Sequence, residues 1–209
     1  MSTNGFTPTS DQVIRAALLK QLIQTNFLKE HTRVIPELTL PNESVRVDVA
    51  VVNGIMHGYE LKSDLDKLNR LDTQVLAYSS VFDKVTLVVG KKHAVSAIAM
   101  IPDWWGITLA KAVPSEMGTM LIPIREAYEN PNQNLLAISN LLWKNEAVEY
   151  LTAIGEISGL RSKSKKIICE RLIECISPSE LKAFVRDTLI NRKFVRAKQV
   201  ALSLDSCGD

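Results

Sequence analysis

Residues 46–62 read Arg46-Val47-Asp48-Val49-Ala50-Val51-Val52-Asn53-Gly54-Ile55-Met56-His57-Gly58-Tyr59-Glu60-Leu61-Lys62. Two runs rich in β-branched and aromatic residues flank Asn53-Gly54, the composition of a β-hairpin. Side chains on a strand alternate between the faces of a sheet, so Val47, Val49 and Val51 share one face and Arg46, Asp48 and Ala50 the other. A two-residue Asn-Gly loop would set Asp48 beside Tyr59 and Val47 beside Glu60, mixing charge into the apolar face. An odd-length loop sets Asp48 opposite Glu60 instead. Then Val47, Val49, Tyr59 and Leu61 form an apolar face, and Asp48, Glu60 and Lys62 gather on the other. Burial of an apolar face specifies register, so this second pairing is predicted. Ala50 and Gly58 are small and would leave room beside the carboxylates for a ligand.

The segments around the hairpin alternate in period. Ser10-Asp11 caps an amphipathic helix to about Lys29, with Val13, Ile14, Ala17, Leu18, Leu22 and Ile23 on its apolar stripe. Arg33 to Leu40 is a strand interrupted by Pro36, which suits a sheet edge. After Lys62, a helical stretch is predicted through Leu65, Leu68, Leu71, Val75 and Tyr78. Lys84 to Val89 reads as a buried strand, Lys91 to Met100 as a helix, and Gly106–Ala110 and Met120–Ile124 as strands. Beyond the break at Asn130-Pro131 every pattern is helical, near 135–154, 163–176 and 179–190, with Ser177-Pro178-Ser179 starting the last.

Two carboxylates and a lysine on one face suit a hard divalent cation beside an anionic substrate. Mg²⁺ takes one or two carboxylates together with waters and phosphate oxygens. A metal polarises the phosphate and activates a water, and a lysine offsets developing negative charge. On the residues alone, the hairpin also reads as a salt bridge between Asp48 and Lys62 on a solvated sheet face.

Asp48, eleven intervening residues and then Glu60-Leu61-Lys62 resemble the PD-(D/E)XK nuclease superfamily. The element order is similar too: a helix, three strands with the motif on the second and third, a helix and a strand. Gln74-Val75-Leu76-Ala77-Tyr78 resembles the Gln-x-x-x-Tyr motif of the RecB-like branch, its two polar residues sharing a helix face. Val47 stands where the superfamily name has proline, a residue commonly absent there.

The resemblance implies an α/β fold: a restriction-endonuclease-like mixed sheet flanked by helices, in residues 1–130, followed by an all-helical basic module in 131–209. It implies a divalent-metal-dependent nuclease that hydrolyses phosphodiester bonds in DNA, in repair, recombination or a phage or defence setting. The alternative is a catalytically silent module of the same fold that binds DNA or a protein. Asp48, Glu60 and the backbone carbonyl of Leu61 would hold Mg²⁺ or Mn²⁺. Lys62 would orient the attacking water, Gln74 would position Lys62 or the phosphate, and Tyr78 would line the site. A further acidic residue is usual, and Glu37 suits this metal-assisting role better than Asp11 or Glu30.

The composition, 46% hydrophobic and 23% charged over 209 residues, excludes a disordered or collagen-like chain. No apolar run reaches membrane-spanning length, and the polar start lacks a signal core, so a cytoplasmic protein is expected. Cys169, Cys175 and Cys207 match no zinc or disulfide pattern. The net charge of +2 hides a division: residues 1–159 are slightly acidic, whereas 160–200 carry a surplus of seven positive charges. Arg161, Lys163, Lys165 and Lys166 cluster at a helix start and, with Arg46, are candidate DNA contacts. Lys182, Arg186, Arg192, Lys193, Arg196 and Lys198 extend the positive segment. The same segment also reads as a helical packing or oligomerisation unit with a polar outside, which makes a homo-oligomer an alternative; a nuclease effector neutralised by a cognate protein partner is a third reading. Of Trp104 and Trp105, at least one is expected in the core, and His57 and Tyr59 read as packed residues.

Overall fold

A computed structural model describes residues 7–26, 31–40, 45–113, 118–156 and 159–193. The elements are α1 (Asp11–Asn26), β1 (Arg33–Thr39), β2 (Arg46–Val52), β3 (Met56–Lys62), α2 (Leu71–Val81), β4 (Lys84–Gly90), α3 (Ala94–Ile98), β5 (Gly106–Val113), β6 (Gly118–Arg125), α4 (Leu135–Ser139), α5 (Lys144–Ala153), α6 (Lys165–Cys175) and α7 (Pro178–Asn191). The six strands form one mixed sheet in sequence order. β3, β4 and β5 run parallel and the outer pairings are antiparallel. The parallel pairs need crossovers, which α2 and α3 provide. Pro36 lies on β1, an edge strand, where a residue without an N–H is tolerated.

Helices flank the sheet, and the hairpin register separates two cores. Val49 pairs with Tyr59, Ala50 with Gly58 and Val51 with His57, the odd-loop register. Val49, Val51 and Leu61 pack with Val88 and Ala110 beneath Ile14, Leu18 and Leu22 of α1. Ala50, Val52 and Met56 face the larger core, which includes Tyr78, Phe82, Trp105 and the buried sides of α4 to α7. That core runs from β1 through α7 without a break near residue 130. Arg33 of β1 also donates to the carbonyls of Ile190 and Arg192, at 2.6 and 2.5 Å, at the end of α7.

Several elements differ from the sequence expectation for local reasons. The helix expected from Leu65 begins only at Leu71. Asp66 accepts from the Ser63 amide and hydroxyl, at 2.7 and 2.6 Å, and such local side-chain bonds compete with helix. The helix expected over 135–154 divides into α4 and α5, because Asn140 bonds back to the Leu136 carbonyl and Glu146 accepts from the Trp143 amide, starting a new helix. The helix expected over 91–100 shortens to α3. Ser177 caps α7 as its sequence suggests, and Ser164 caps α6, which starts two residues later than expected. Trp105 is fully buried and Trp104 packs partly against the core. No helix among the described residues is long and apolar enough to cross a membrane.

Candidate active site

β3 carries Glu60 and Lys62 two residues apart and therefore on one face. Both are withdrawn from water, Glu60 at 0% and Lys62 at 5% exposure. The solvated-face reading of the hairpin is therefore wrong, and Lys62 pairs with Glu60 rather than with Asp48. Lys62 Nζ donates to Glu60 Oε1 and, at 2.9 Å, to Oε1 of Gln74 on α2. One helical turn later, the Tyr78 hydroxyl donates to Glu60 Oε2. The spacing of four residues puts Gln74 and Tyr78 over the same strand.

Asp48 enters this cluster through a break in the sheet. The β2–β3 ladder ends at Val49 and Tyr59. Just beyond it, Asp48 Oδ2 accepts the Leu61 amide at 2.8 Å. The β1–β2 ladder also skips one pair, passing from Pro36–Val49 to Leu38–Val47. The residue skipped opposite Asp48 is Glu37, whose φ of 56° lies in the left-handed region, at about 1–2 kcal/mol for a side chain of this kind. Irregular backbone of this sort clusters at functional sites. Val47, beyond the break, joins the larger core and not the α1 side, a departure from the expected face.

The electrostatics follow from burial. Glu60 is pushed up to about 7, first by desolvation and then by the negative charge of Asp48, with Lys62 and Tyr78 acting the other way. Tyr78 is held well above its ordinary value by burial and the Glu60 charge. The Asp48 charge disfavours ionisation of Glu60, and a cation beside both carboxylates relieves that cost. Among the described residues no three His, Cys, Asp or Glu side chains gather to hold a metal ion. The donor set of Asp48 and Glu60 nevertheless suits Mg²⁺ or Mn²⁺, which take one or two carboxylates and complete their shell with water.

The other sequence candidates fall elsewhere. Glu37 is not brought to the cluster: its carboxylate is 61% exposed and pairs with Arg46 at 3.1 Å. That pair also occupies Arg46, a candidate DNA contact. The room expected beside Ala50 and Gly58 is filled, since a Cβ on Gly58 would lie 2.9 Å from the Phe82 ring. His57 packs as expected, stacked on Tyr59 with ring centroids 4.3 Å apart and bonded to Thr86 at 2.9 Å. Burial and the Lys84 charge lower His57 to about 4. Glu30 lies outside the described residues.

Arg161 and Lys163 ahead of α6 and Lys166 in its first turn are exposed. Lys165 is instead half-buried and donates to the Asn140 carbonyl at 2.7 Å, tying α6 to α4. Arg192 is no surface cation: it is 7% exposed, bonds Glu146 at 2.6 Å and lies 4.4 Å from the Trp143 ring. Arg196 and Lys198 lie outside the described residues.

Two groups escaped the sequence reading. Arg15 of α1 donates to Asp48 Oδ1 at 2.8 Å and to the Asp48 carbonyl at 2.9 Å. The Asp11–Arg15 spacing shows a helix pair, but nothing local joins Arg15 to a strand 33 residues on. Asp64 is buried and accepts from the Thr9 amide, the Thr9 hydroxyl and the Lys92 amide, at 2.7, 2.7 and 2.8 Å. It thus pins the loop after Lys62. Gly90 gives it space, since a Cβ there would lie 2.6 Å from Asp64 Oδ1.

Residues 6–203 match the family described as Bacteriophage P4 protein cII. The chain belongs to that family. Protein cII of Enterobacteria phage P4 is 39% identical to this cII-family chain over 82 residues, which are 39% of the chain and 31% of that protein. The match therefore spans about a third of the length of the curated relative. A solved structure, a protein of unknown function from Silicibacter pomeroyi, aligns with a TM-score of 0.40 at 18% identity, covering 70% of this chain and 91% of that one.

Proposed function

We propose that this cII-family protein is a divalent-metal-dependent nuclease acting on DNA, with a restriction-endonuclease-like core and a basic helical segment that meets the nucleic acid. One observation carries the reading. Glu60, Lys62, Gln74 and Tyr78, singled out by order and spacing, form one bonded cluster between β3 and α2, and Asp48 of β2 is tied beside it through the Leu61 amide.

Asp48, Glu60 and the Leu61 carbonyl would hold Mg²⁺ or Mn²⁺, which supplies Lewis-acid polarisation of the phosphate and a more acidic water. The chain's own residues do the rest. Gln74 Oε1 and Glu60 Oε1 hold Lys62 Nζ from two sides, so its charge is aimed before substrate arrives. Lys62 Nζ then orients the attacking water and offsets charge on the phosphate. The Tyr78 hydroxyl holds Glu60 Oε2, so the carboxylate is held at both oxygens. Arg161, Lys163 and Lys166 contribute attraction for the phosphate backbone. A phage setting accords with the family, and the site of action is the cytoplasm of the host.

The test is incubation of the purified protein with linear, circular and single-stranded DNA, with Mg²⁺, with Mn²⁺ and with EDTA. Metal-dependent cleavage that is lost in Asp48→Ala is expected. Cleavage in EDTA, or equal cleavage by Asp48→Ala, overturns the reading. A second reading, a silent module that only binds DNA or a protein, is favoured by one observation: every carboxylate oxygen of Asp48 and Glu60 already meets a protein donor. It predicts salt-dependent DNA binding with no product under any metal.

A further inference from the structure

We infer that Arg15 is a positioning residue that competes with a divalent cation for Asp48. The inference deepens the cation-site reading above and rests on it. Arg15 lies one turn after Asp11 on α1, and its guanidinium is held on two edges. Toward the helix, Nε and Nη2 each donate to the Asp11 carboxylate at 3.1 Å. Toward the sheet, Nη2 donates to Asp48 Oδ1 at 2.8 Å and Nη1 to the Asp48 carbonyl at 2.9 Å. Oδ2 of the same carboxylate takes the Leu61 amide, so Arg15 covers the other oxygen.

The pair is largely shielded, with side-chain exposures of 23% for Arg15 and 22% for Asp48. Its attraction is therefore screened less than that of a surface pair. An arginine is always charged, and its planar fork matches this arrangement of two acceptors. A divalent cation drawn to Asp48 meets that fixed positive charge at short range and is repelled by it. Asp11 sharpens the effect, because it ties the guanidinium to α1 and opposes its retreat. In the metal-free protein Arg15 orients Asp48 and neutralises it, and metal affinity is set by the balance of the two cations on one carboxylate.

The experiment is Mn²⁺ titration of the full chain without nucleic acid, read as free Mn²⁺ by electron paramagnetic resonance, with circular dichroism to verify folding. Arg15→Gln should bind Mn²⁺ on the order of tenfold more tightly than the unsubstituted protein. Asp11→Asn, which keeps Arg15 but removes its brace, should shift affinity the same way by a smaller factor. Should Arg15→Gln fail to fold, Asp11→Asn decides. Affinity equal to or weaker than that of the parent protein in the folded variants, with binding abolished by Asp48→Asn, overturns the competition alone. Mn²⁺ binding indifferent to Asp48→Asn, or absent from the parent protein and Arg15→Gln alike, overturns the cation site as well.

Discussion

At the end of β3, Glu60 and Lys62 are almost wholly withdrawn from water and bonded to side chains of α2. Around the start of α6, Arg161, Lys163 and Lys166 stand in solvent, and Lys166 meets Glu170 only at 3.9 Å. Both regions look alike in sequence, as short runs of charge. Burial separates them. In the first, desolvation makes each charge expensive and forces a specific partner. In the second, water serves each cation and the positions tolerate change. The first region can do position-sensitive chemistry, whereas the second can attract a polyanion without holding it in one geometry.

The sharpest way to break this contrast is Lys62→Ala. Removing a preorganised cation at the reacting group should lower cleavage by about 10²–10³-fold, measured on linear DNA with Mg²⁺, with little change in DNA binding. Loss of binding in proportion would place Lys62 with the solvated cations.

A smaller effect concerns pH. Burial pushes Glu60 up to about 7 in the folded protein, from its ordinary 4.5. Between those values the folded state binds more protons, so stability present at low pH is lost as pH rises through 7. The loss is roughly 3 kcal/mol. His57 acts in the opposite sense: held at about 4, it adds stability above its unfolded value that is lost as pH falls. The difference between the parent protein and Glu60→Gln removes the His57 contribution, which both share. Urea melts at pH 5, 6, 7 and 8 should show the parent protein losing stability relative to Glu60→Gln with rising pH. A constant difference would show that Lys62 and Tyr78 offset the cost of burying the Glu60 charge.

For the solvated region, Arg161→Ala with Lys163→Ala should leave stability unchanged and reduce the slope of log affinity against log salt by about two, read by fluorescence anisotropy on labelled DNA. An unchanged slope would assign these cations to a packing surface. The smallest effect is expected at Ser164→Ala, which removes the α6 cap amid those cations and should destabilise by about 1 kcal/mol in a urea melt.

The parts of the site that were legible share a physical basis. Glu60 and Lys62 lie two apart on a strand, and Gln74 and Tyr78 four apart on a helix, so backbone period alone puts each pair on one face. The register was legible because the other slip would set Asp48 beside Tyr59 and Glu60 beside Val47, breaking the apolar face that packs under α1. Glu37 misled because an alternating pattern hides a left-handed residue, and its backbone, not its carboxylate, shapes the ground opposite Asp48. Arg192 misled because charge in a sequence does not report burial.

What the sequence by itself determined is local: the hairpin, its pairing, the helix caps, and the two residue pairs that face each other across β3 and α2. Each rests on period and on the cost of burying the wrong side chain, forces that act within a few residues. What only the tertiary structure decided is which charges meet. Arg15 on Asp48, Asp64 on Thr9 and Lys92, Arg33 on the end of α7, and Phe82 in the space beside Gly58 all depend on chain segments brought together by the packing of the two cores against one sheet. Spacing along the chain carries no record of such contacts, because burial links segments through shared volume and not through sequence distance.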